Sequence, residues 1–266
     1  MSSPLRYRNH ILLDGIDTWP QSLRDLLNSE RDFIRSYLQE EKRIHDLVEG
    51  DVLIRLHPPK NPHLLRWNSI VETIRQLIRD YSIIGFHCTR LTETEIQGIR
   101  ANGLRPLSPA FTQQRIERLV QEGRISPAAA QALIERNELS ASNRAGHVCF
   151  FHCLSTLRDA SGLYRLFRSW GGEAVYYHHE EDSPAREELR RIGTPCIVVG
   201  SLRRCDISPI RSLEERIIRV WQSQNDPGAY SQDCDTLVRG RSVPVLDVIS
   251  RDSLLFEELT HYSEWS

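Results

Sequence analysis

The sequence predicts an α+β fold, helical through its first third and then alternating between short strands and helices. Three observations carry that reading. Apolar residues recur at three- and four-residue spacing over residues 22–48 and 62–81. The period changes to two at residues 83–90, where Ile84, Phe86 and Cys88 alternate with Gly85, His87 and Thr89. A continuous apolar run at 196–202 reads as a central strand covered on both faces. With 266 residues, 39% hydrophobic and 26% charged, the chain has the composition of a packed protein and not of a disordered one.

The first eighty residues supply one long amphipathic helix or two consecutive ones, carrying Leu23, Leu27, Ile34, Tyr37 and Leu38, with Gly50 as a stop. A second helix follows a Pro-rich turn at His57-Pro58-Pro59. After the strand at 83–90, Thr92-x-x-Glu95 is a capping box that opens a helix ending at Asn102-Gly103. An extended piece at 105–107 comes next. Ser108-Pro109 and Ser126-Pro127 each place an N-cap before a proline at the first helical position. They predict helices at about 109–122 and 127–137, an inserted hairpin spanning roughly 108–140. A strand is expected at 147–153, a helix at 157–169 broken by Gly171-Gly172, an ambiguous aromatic stretch at 173–179, and a short charged helix at 184–191. A second capping box, Ser212-x-x-Glu215, opens a helix to about Trp221. Strands at 236–239 and 243–248 and a helix at 252–262 close the chain. The expected organisation is a helical extension over residues 1–80 and one α+β domain over 81–266.

A net charge of −2 gives no global basic field for nucleic acid, although a local patch can do that work. Arg203, Arg204, Arg211, Arg216, Arg219, Arg239 and Arg241 form such a run, read either as a phosphate-binding patch or as a solvated face paired with Asp206, Glu214 and Glu215. No apolar run approaches the roughly 20 residues of a membrane helix. Residues 1–14 lack an apolar signal core. A cytoplasmic location without membrane attachment is therefore expected. The six cysteines read as reduced. Cys149 and Cys153 with His147 and His152 are the one close group that suggests zinc, but side chains on one strand face fan apart, and no metal is expected.

The polar face of the strand at 83–90 suits a cleft better than a core. Gly85 leaves room for a ligand or a second backbone, and His87 can donate or accept a hydrogen bond. Cys88 adjoins His87 but points to the opposite face, so the histidine cannot activate it as a nucleophile.

The order strand, Phe86-His87-Cys88-Thr89-Arg90, capped helix, Asn102-Gly103-Leu104, short strand resembles the opening of the ADP-ribosyltransferase fold. Related openings occur in RNA 2′-phosphotransferases and in bacterial DNA-modifying toxins of that fold. The downstream pieces follow the family's order: Gly146-His147-Val148-Cys149-Phe150-Phe151, then Ser155-Thr156, the buried strand at 196–202, and a closing stretch from Asp233 to Pro244. The resemblance covers roughly residues 81–255. It implies a split β-sheet core with inserted helices and an NAD-dependent transfer of ADP-ribose to a protein or nucleic-acid acceptor, as in a toxin or defence effector. It implies that His87, Thr89, Arg90 and Ser155 contact NAD, and that Tyr164 or Tyr176 stacks on nicotinamide. Trp170 offers a further stacking plate. The position of the family's catalytic Glu holds Asp235, and Glu173 in Trp170-Gly171-Gly172-Glu173 is the rival carboxylate.

Two other readings stay open at this level. One is a non-catalytic nucleotide-binding or protein-interaction module of the same fold, and the other is an RNA 2′-phosphotransferase-like enzyme. Residues 1–80 either pack on the second domain or dock a partner such as a neutralising antitoxin.

Overall fold

The computed structural model describes residues 4–139, 146–181, 185–206, 212–225 and 235–264. A two-residue strand, β1 (His10–Ile11), precedes helices α1 (Gln21–Ser29), α2 (Arg31–Gly50), α3 (Val52–Leu56) and α4 (Leu64–Leu77). Strand β2 (Ser82–Leu91) leads into α5 (Glu93–Asn102), α6 (Pro109–Gln121) and α7 (Pro127–Glu135). Then come β3 (His147–Phe151), α8 (Ala160–Arg168), α9 (Glu173–Tyr176), α10 (Ala185–Arg191) and β4 (Thr194–Leu202). Helix α11 (Leu213–Asn225), strands β5 (Asp235–Arg239) and β6 (Val245–Ser250), and α12 (Leu254–Thr260) follow. The protein is thus α+β, with an antiparallel sheet. Among the described residues no helix is long and apolar enough to cross a membrane.

The local signals act where the sequence places them. Thr92 and Glu95 form the reciprocal capping box of α5, and Ser108 and Ser126 cap α6 and α7 with proline at the first position. The helical stretch at 22–48 is two helices, because Glu30 leaves helical geometry (φ −97°, ψ 10°). Gly103 ends α5 at φ +78°. A Cβ there would lie 2.6 Å from the Val243 carbonyl, so only glycine lets the chain pass. The next residue, Leu104, exchanges two 2.9 Å backbone hydrogen bonds with Val243. Pro244 cannot donate, and β6 starts beyond it. The aromatic stretch at 173–179 resolves into α9 and a 3₁₀ turn.

The chain divides into two compact units, residues 1–82 with 209–231, and residues 83–208 with 232–266. The first unit therefore takes in α11, which the expected division at 80/81 assigns to the second domain. The reason is visible in the packing. Glu214 is fully buried and pairs with Arg75 at 3.3 Å. Arg219 pairs with Glu41, and Arg31 lies over the Trp221 ring at 5.4 Å. Tyr37 and Trp67 stack at 3.9 Å in the same unit. The arginine run of the C-terminal third is thereby split, with Arg216 and Arg219 committed to the first unit and Arg211 outside the described residues.

In the second unit, five strands lie in the order β5-β3-β2-β4-β6, all antiparallel. The register runs Ile83↔Leu202 to Leu91↔Thr194 between β2 and β4, and His147↔Arg239 to Phe151↔Asp235 between β3 and β5. Among the described residues these two ladders meet at one residue pair, Phe86↔Phe151. The sheet is in effect two ladders with one backbone tie. Gly85 and Gly200 stand opposite each other across β2 and β4. Their bare faces form a slot for the Phe150 ring, since a Cβ on Gly85 would come 2.9 Å from Phe150 and 2.7 Å from Leu202, and one on Gly200 would come 2.8 Å from Phe150. Gly85 thus makes room for a core aromatic and not for a ligand.

The hairpin α6–α7 has its own core. Ile116, Leu119, Ala129 and Leu133 pack with Trp170, Val175, Tyr176 and Leu189. Each fully buried large apolar side chain contributes about 1.5–3 kcal/mol.

Gly85→Ala and Gly200→Ala should each destabilise the protein by about 1–3 kcal/mol through overpacking. Phe150→Leu combined with Gly200→Ala should cost less than the sum of the two single changes, because the smaller side chain removes the ring atoms nearest a Cβ at Gly200. Denaturant unfolding checks both, and strict additivity would show that Phe150 does not fill the slot.

Candidate active site

The tie between the ladders is built by two histidines. His152 is fully buried, with Nδ1 3.3 Å from the Ile84 carbonyl of β2 and Nε2 2.8 Å from the Thr236 hydroxyl of β5. His87 does the converse from β2, placing Nδ1 2.9 Å from the Cys149 carbonyl of β3. A carbonyl can only accept, so His87 Nδ1 carries the proton. Neutral His87 then presents Nε2 as a lone pair. Burial pushes the His87 pKa below its ordinary 6.5, and the nearby Arg115 charge adds to that, against the opposing hydrogen bond to Cys149. The ring is half-buried and lies 6.0 Å from the Phe150 ring that fills the glycine slot.

Beside His87 sits a second cluster, centred on Glu95. Its Oε2 accepts from the Thr92 backbone N–H at 2.8 Å and from the Trp170 indole at 2.9 Å. Its Oε1 accepts from Arg115 Nε at 2.7 Å. Burial would raise the Glu95 pKa, but Arg115 and these hydrogen bonds outweigh it and hold the carboxyl below the ordinary range. The Arg115 guanidinium lies over the Trp170 ring at 4.5 Å and 5.9 Å from the Phe111 ring centre. Arg105 covers Phe111 at 4.4 Å. Among the described residues, the terminal nitrogens of Arg115 and the whole guanidinium of Arg105 have no carboxylate or carbonyl partner.

The sequence-named residues divide into those that reach an open surface and those that do not. Thr89 is buried opposite Cys196. Arg90 donates to the Ile192, Phe167 and Gly193 carbonyls at 2.9, 3.1 and 2.7 Å. Its three donor nitrogens are each engaged, so it staples the backbone and does not reach a phosphate. Trp170 is fully buried, so its ring serves as a platform for Arg115 and not as a solvent-facing plate. Tyr176 is also fully buried, and burial pushes its hydroxyl pKa up. Tyr164 keeps its ring exposed, with Arg168 6.0 Å away. Ser155 is exposed on the 3₁₀ turn after β3. Glu173 is half-buried at the start of α9, and its charge reaches Arg165 and Tyr176. Asp235 stands in the register row of Phe151 and Phe86, whereas His87 stands in the row of Phe150 and Thr236. Cys88 is buried, which pushes its thiol pKa up and keeps it protonated. Among the described residues no three His, Cys, Asp or Glu side chains gather as a metal would require.

Arg105, Phe111 and Arg115 are additions that periodicity could not supply. Arg115 falls in a helix whose apolar face is Ile116 and Leu119, and its partner Glu95 already has a complete explanation as a cap. Nothing in the sequence states that the cap carboxylate has a free edge.

Compared with known proteins, the chain matches no family model, no curated protein and no solved structure.

Glu95→Ala should destabilise by about 3–5 kcal/mol, because Arg115 would lose its buried partner and α5 its cap. Both low pKa values give acid sensitivity of one sign. The Glu95 contribution is complete above about pH 4.5 and the His87 contribution above about pH 6.5, and each is lost as pH falls through the lowered pKa. Proton NMR of the His87 ring should show a midpoint under 6.5 that rises in Arg115→Gln and stays low in Arg115→Lys. An unmoved midpoint in Arg115→Gln would place the guanidinium away from the ring.

Proposed function

We propose that the protein is an NAD-dependent ADP-ribosyltransferase that works at the tie between its two ladders. The observation that carries this reading is His87 beside the Phe86↔Phe151 pair, with Nδ1 anchored on the Cys149 carbonyl, which leaves Nε2 as the ring's acceptor nitrogen. An acceptor nitrogen on a rigid strand suits a ribose hydroxyl, which needs an acceptor with no competing charge. The order of motifs around it supports the same reading.

In the proposed reaction the bond between ribose C1′ and the nicotinamide nitrogen breaks, and nicotinamide leaves as a neutral amide with the bonding pair. Positive charge spreads over C1′ and the ring oxygen, as in glycoside cleavage. A carboxylate near that charge lowers the barrier electrostatically. A nucleophile of the acceptor then bonds to C1′ and gives up its proton. We assign the carboxylate to Glu173, because the Trp170-Gly171-Gly172 turn before it is fixed at Trp170 by Glu95. Asp235 is the alternative. Tyr164, with its ring exposed, is the residue assigned to the nicotinamide side, and Ser155 to the ribose side. Thr89, Arg90 and Trp170 support the site from within the core.

Incubation with labelled NAD and cell extract should release nicotinamide and label a macromolecular acceptor. His87→Ala should abolish NAD binding in calorimetry. Glu173→Gln should lower turnover by roughly 100- to 1000-fold while NAD binding persists, with Asp235→Asn near wild type. The reverse order would move the role to Asp235. If wild type neither binds nor cleaves NAD, the transferase proposal is wrong and a non-catalytic module of this fold takes its place.

A further inference from the structure

We infer that the inserted hairpin and the extended segment leading into it supply a diphosphate-binding arm, with Arg115 and Arg105 gripping the linked phosphates of a dinucleotide ligand. The identity of the dinucleotide as NAD rests on the transferase reading, whereas the affinity for a diphosphate does not.

The argument starts from what holds Arg115. A free arginine side chain loses rotamer entropy when it closes on a phosphate. Arg115 has lost most of that freedom already. Its Nε is fixed on Glu95, its plane is laid on Trp170, and its side chain is only 13% exposed. The fixed edge is the Nε edge, so the terminal nitrogens are left to make a forked contact with a planar or tetrahedral oxyanion. Glu95 cannot compete for them, since both its oxygens are in use by Thr92, Trp170 and Arg115 Nε.

Charge points the same way. Glu95 offsets Arg115, but Arg105 has no acidic partner among the described residues and lies against the same Phe111 ring. Two guanidiniums thus share one aromatic ring, one of them paired with a carboxylate, and the cluster carries net positive charge. His87 next to it is held neutral, so the cationic groups and the hydroxyl acceptor are separate functions on adjacent elements. A ligand that fits has a sugar hydroxyl near two linked phosphates. A single phosphate or a bare nucleoside would satisfy one half only. Arg105 lies over the Phe111 ring at 4.4 Å and competes with a base for it, which disfavours a single-stranded nucleic acid laid across this patch.

The test uses the full chain and two probes, inorganic pyrophosphate and NAD, in titration calorimetry at low and moderate salt. Wild type should bind both, and pyrophosphate should compete with NAD. Arg115→Lys keeps the ion pair with Glu95 but loses the fork, and should weaken both ligands by about tenfold or more. Arg105→Gln is an exposed change that leaves folding intact, and should weaken both several-fold and flatten the salt dependence. His87→Ala should lose NAD and keep pyrophosphate. If NAD binds and both arginine variants bind it as wild type does, the diphosphate arm is overturned and the transferase reading survives. If pyrophosphate binds in an arginine-dependent way and NAD does not, the arm stands and the transferase reading fails. If neither probe binds, both are overturned.

Discussion

One backbone pair, Phe86 with Phe151, is the constraint on which the second unit turns. On either side of it the rungs are made by side chains, His87 to Cys149 and His152 to Ile84. A backbone rung fixes both strands at van der Waals separation, whereas an imidazole rung satisfies the carbonyl and holds the strands apart. Two carbonyls at this point, those of Cys149 and Ile84, therefore have imidazole partners in place of a strand neighbour. The glycine slot completes the device. Phe150 is seated over Gly85 and Gly200, and its ring is the wall against which His87 is placed. The position of one polar ring is thus set by the absence of two Cβ atoms in the core.

Glu95 extends the same economy to the insertion. A cap carboxylate normally uses one oxygen on its own backbone and leaves the other in water. Here the second oxygen draws in Arg115 from α6, and the first also takes the indole of Trp170. Three segments distant in sequence meet on one carboxylate, and protonating it would forfeit the ion pair with Arg115 and weaken the bonds from Thr92 and Trp170. That is why a buried ion pair is tolerable at this place. Its desolvation cost is offset by hydrogen bonds that would otherwise be unmet at a helix start and on a buried indole.

Much of this was legible in the sequence, and the reasons for the rest are specific. The strand at 83–90, the Thr92–Glu95 capping box and the Ser-Pro helix starts are local, and each follows from backbone geometry within four residues. The central strand followed from its unbroken apolar run. Face alternation correctly separated His87 from Cys88. Function-like residue types were harder. Arg90, Trp170 and Tyr176 have the chemistry of ligand contacts, yet carbonyls and core packing consume them, and only long-range partners such as Gly193 reveal that. Gly85 had the opposite ambiguity, because a bare face can admit a ligand or a neighbour's ring, and Phe150 is 65 positions away. Helix α11 read as part of the second domain because nothing in its own residues names Arg75 or Glu41 as partners.

The electrostatic arrangement around His87 explains why a histidine serves there better than an arginine would. An arginine on β2 would place a third cation beside Arg115 and Arg105, and its repulsion would fall on the groups that Glu95 positions. Neutral His87 avoids that and turns the same field to use, because the arginine charge helps keep Nε2 unprotonated. Burial is the larger cause of the lowered pKa and the Arg115 charge adds to it, so the acceptor is favoured at neutral pH. In the proposed reaction this separates two tasks on one ligand. On that proposal the arginines would hold charge that does not change during the reaction, and the histidine would hold a hydroxyl next to the atom where charge develops. A site that assigned both tasks to cations would bind the diphosphate as well, but would oppose the positive charge forming at C1′.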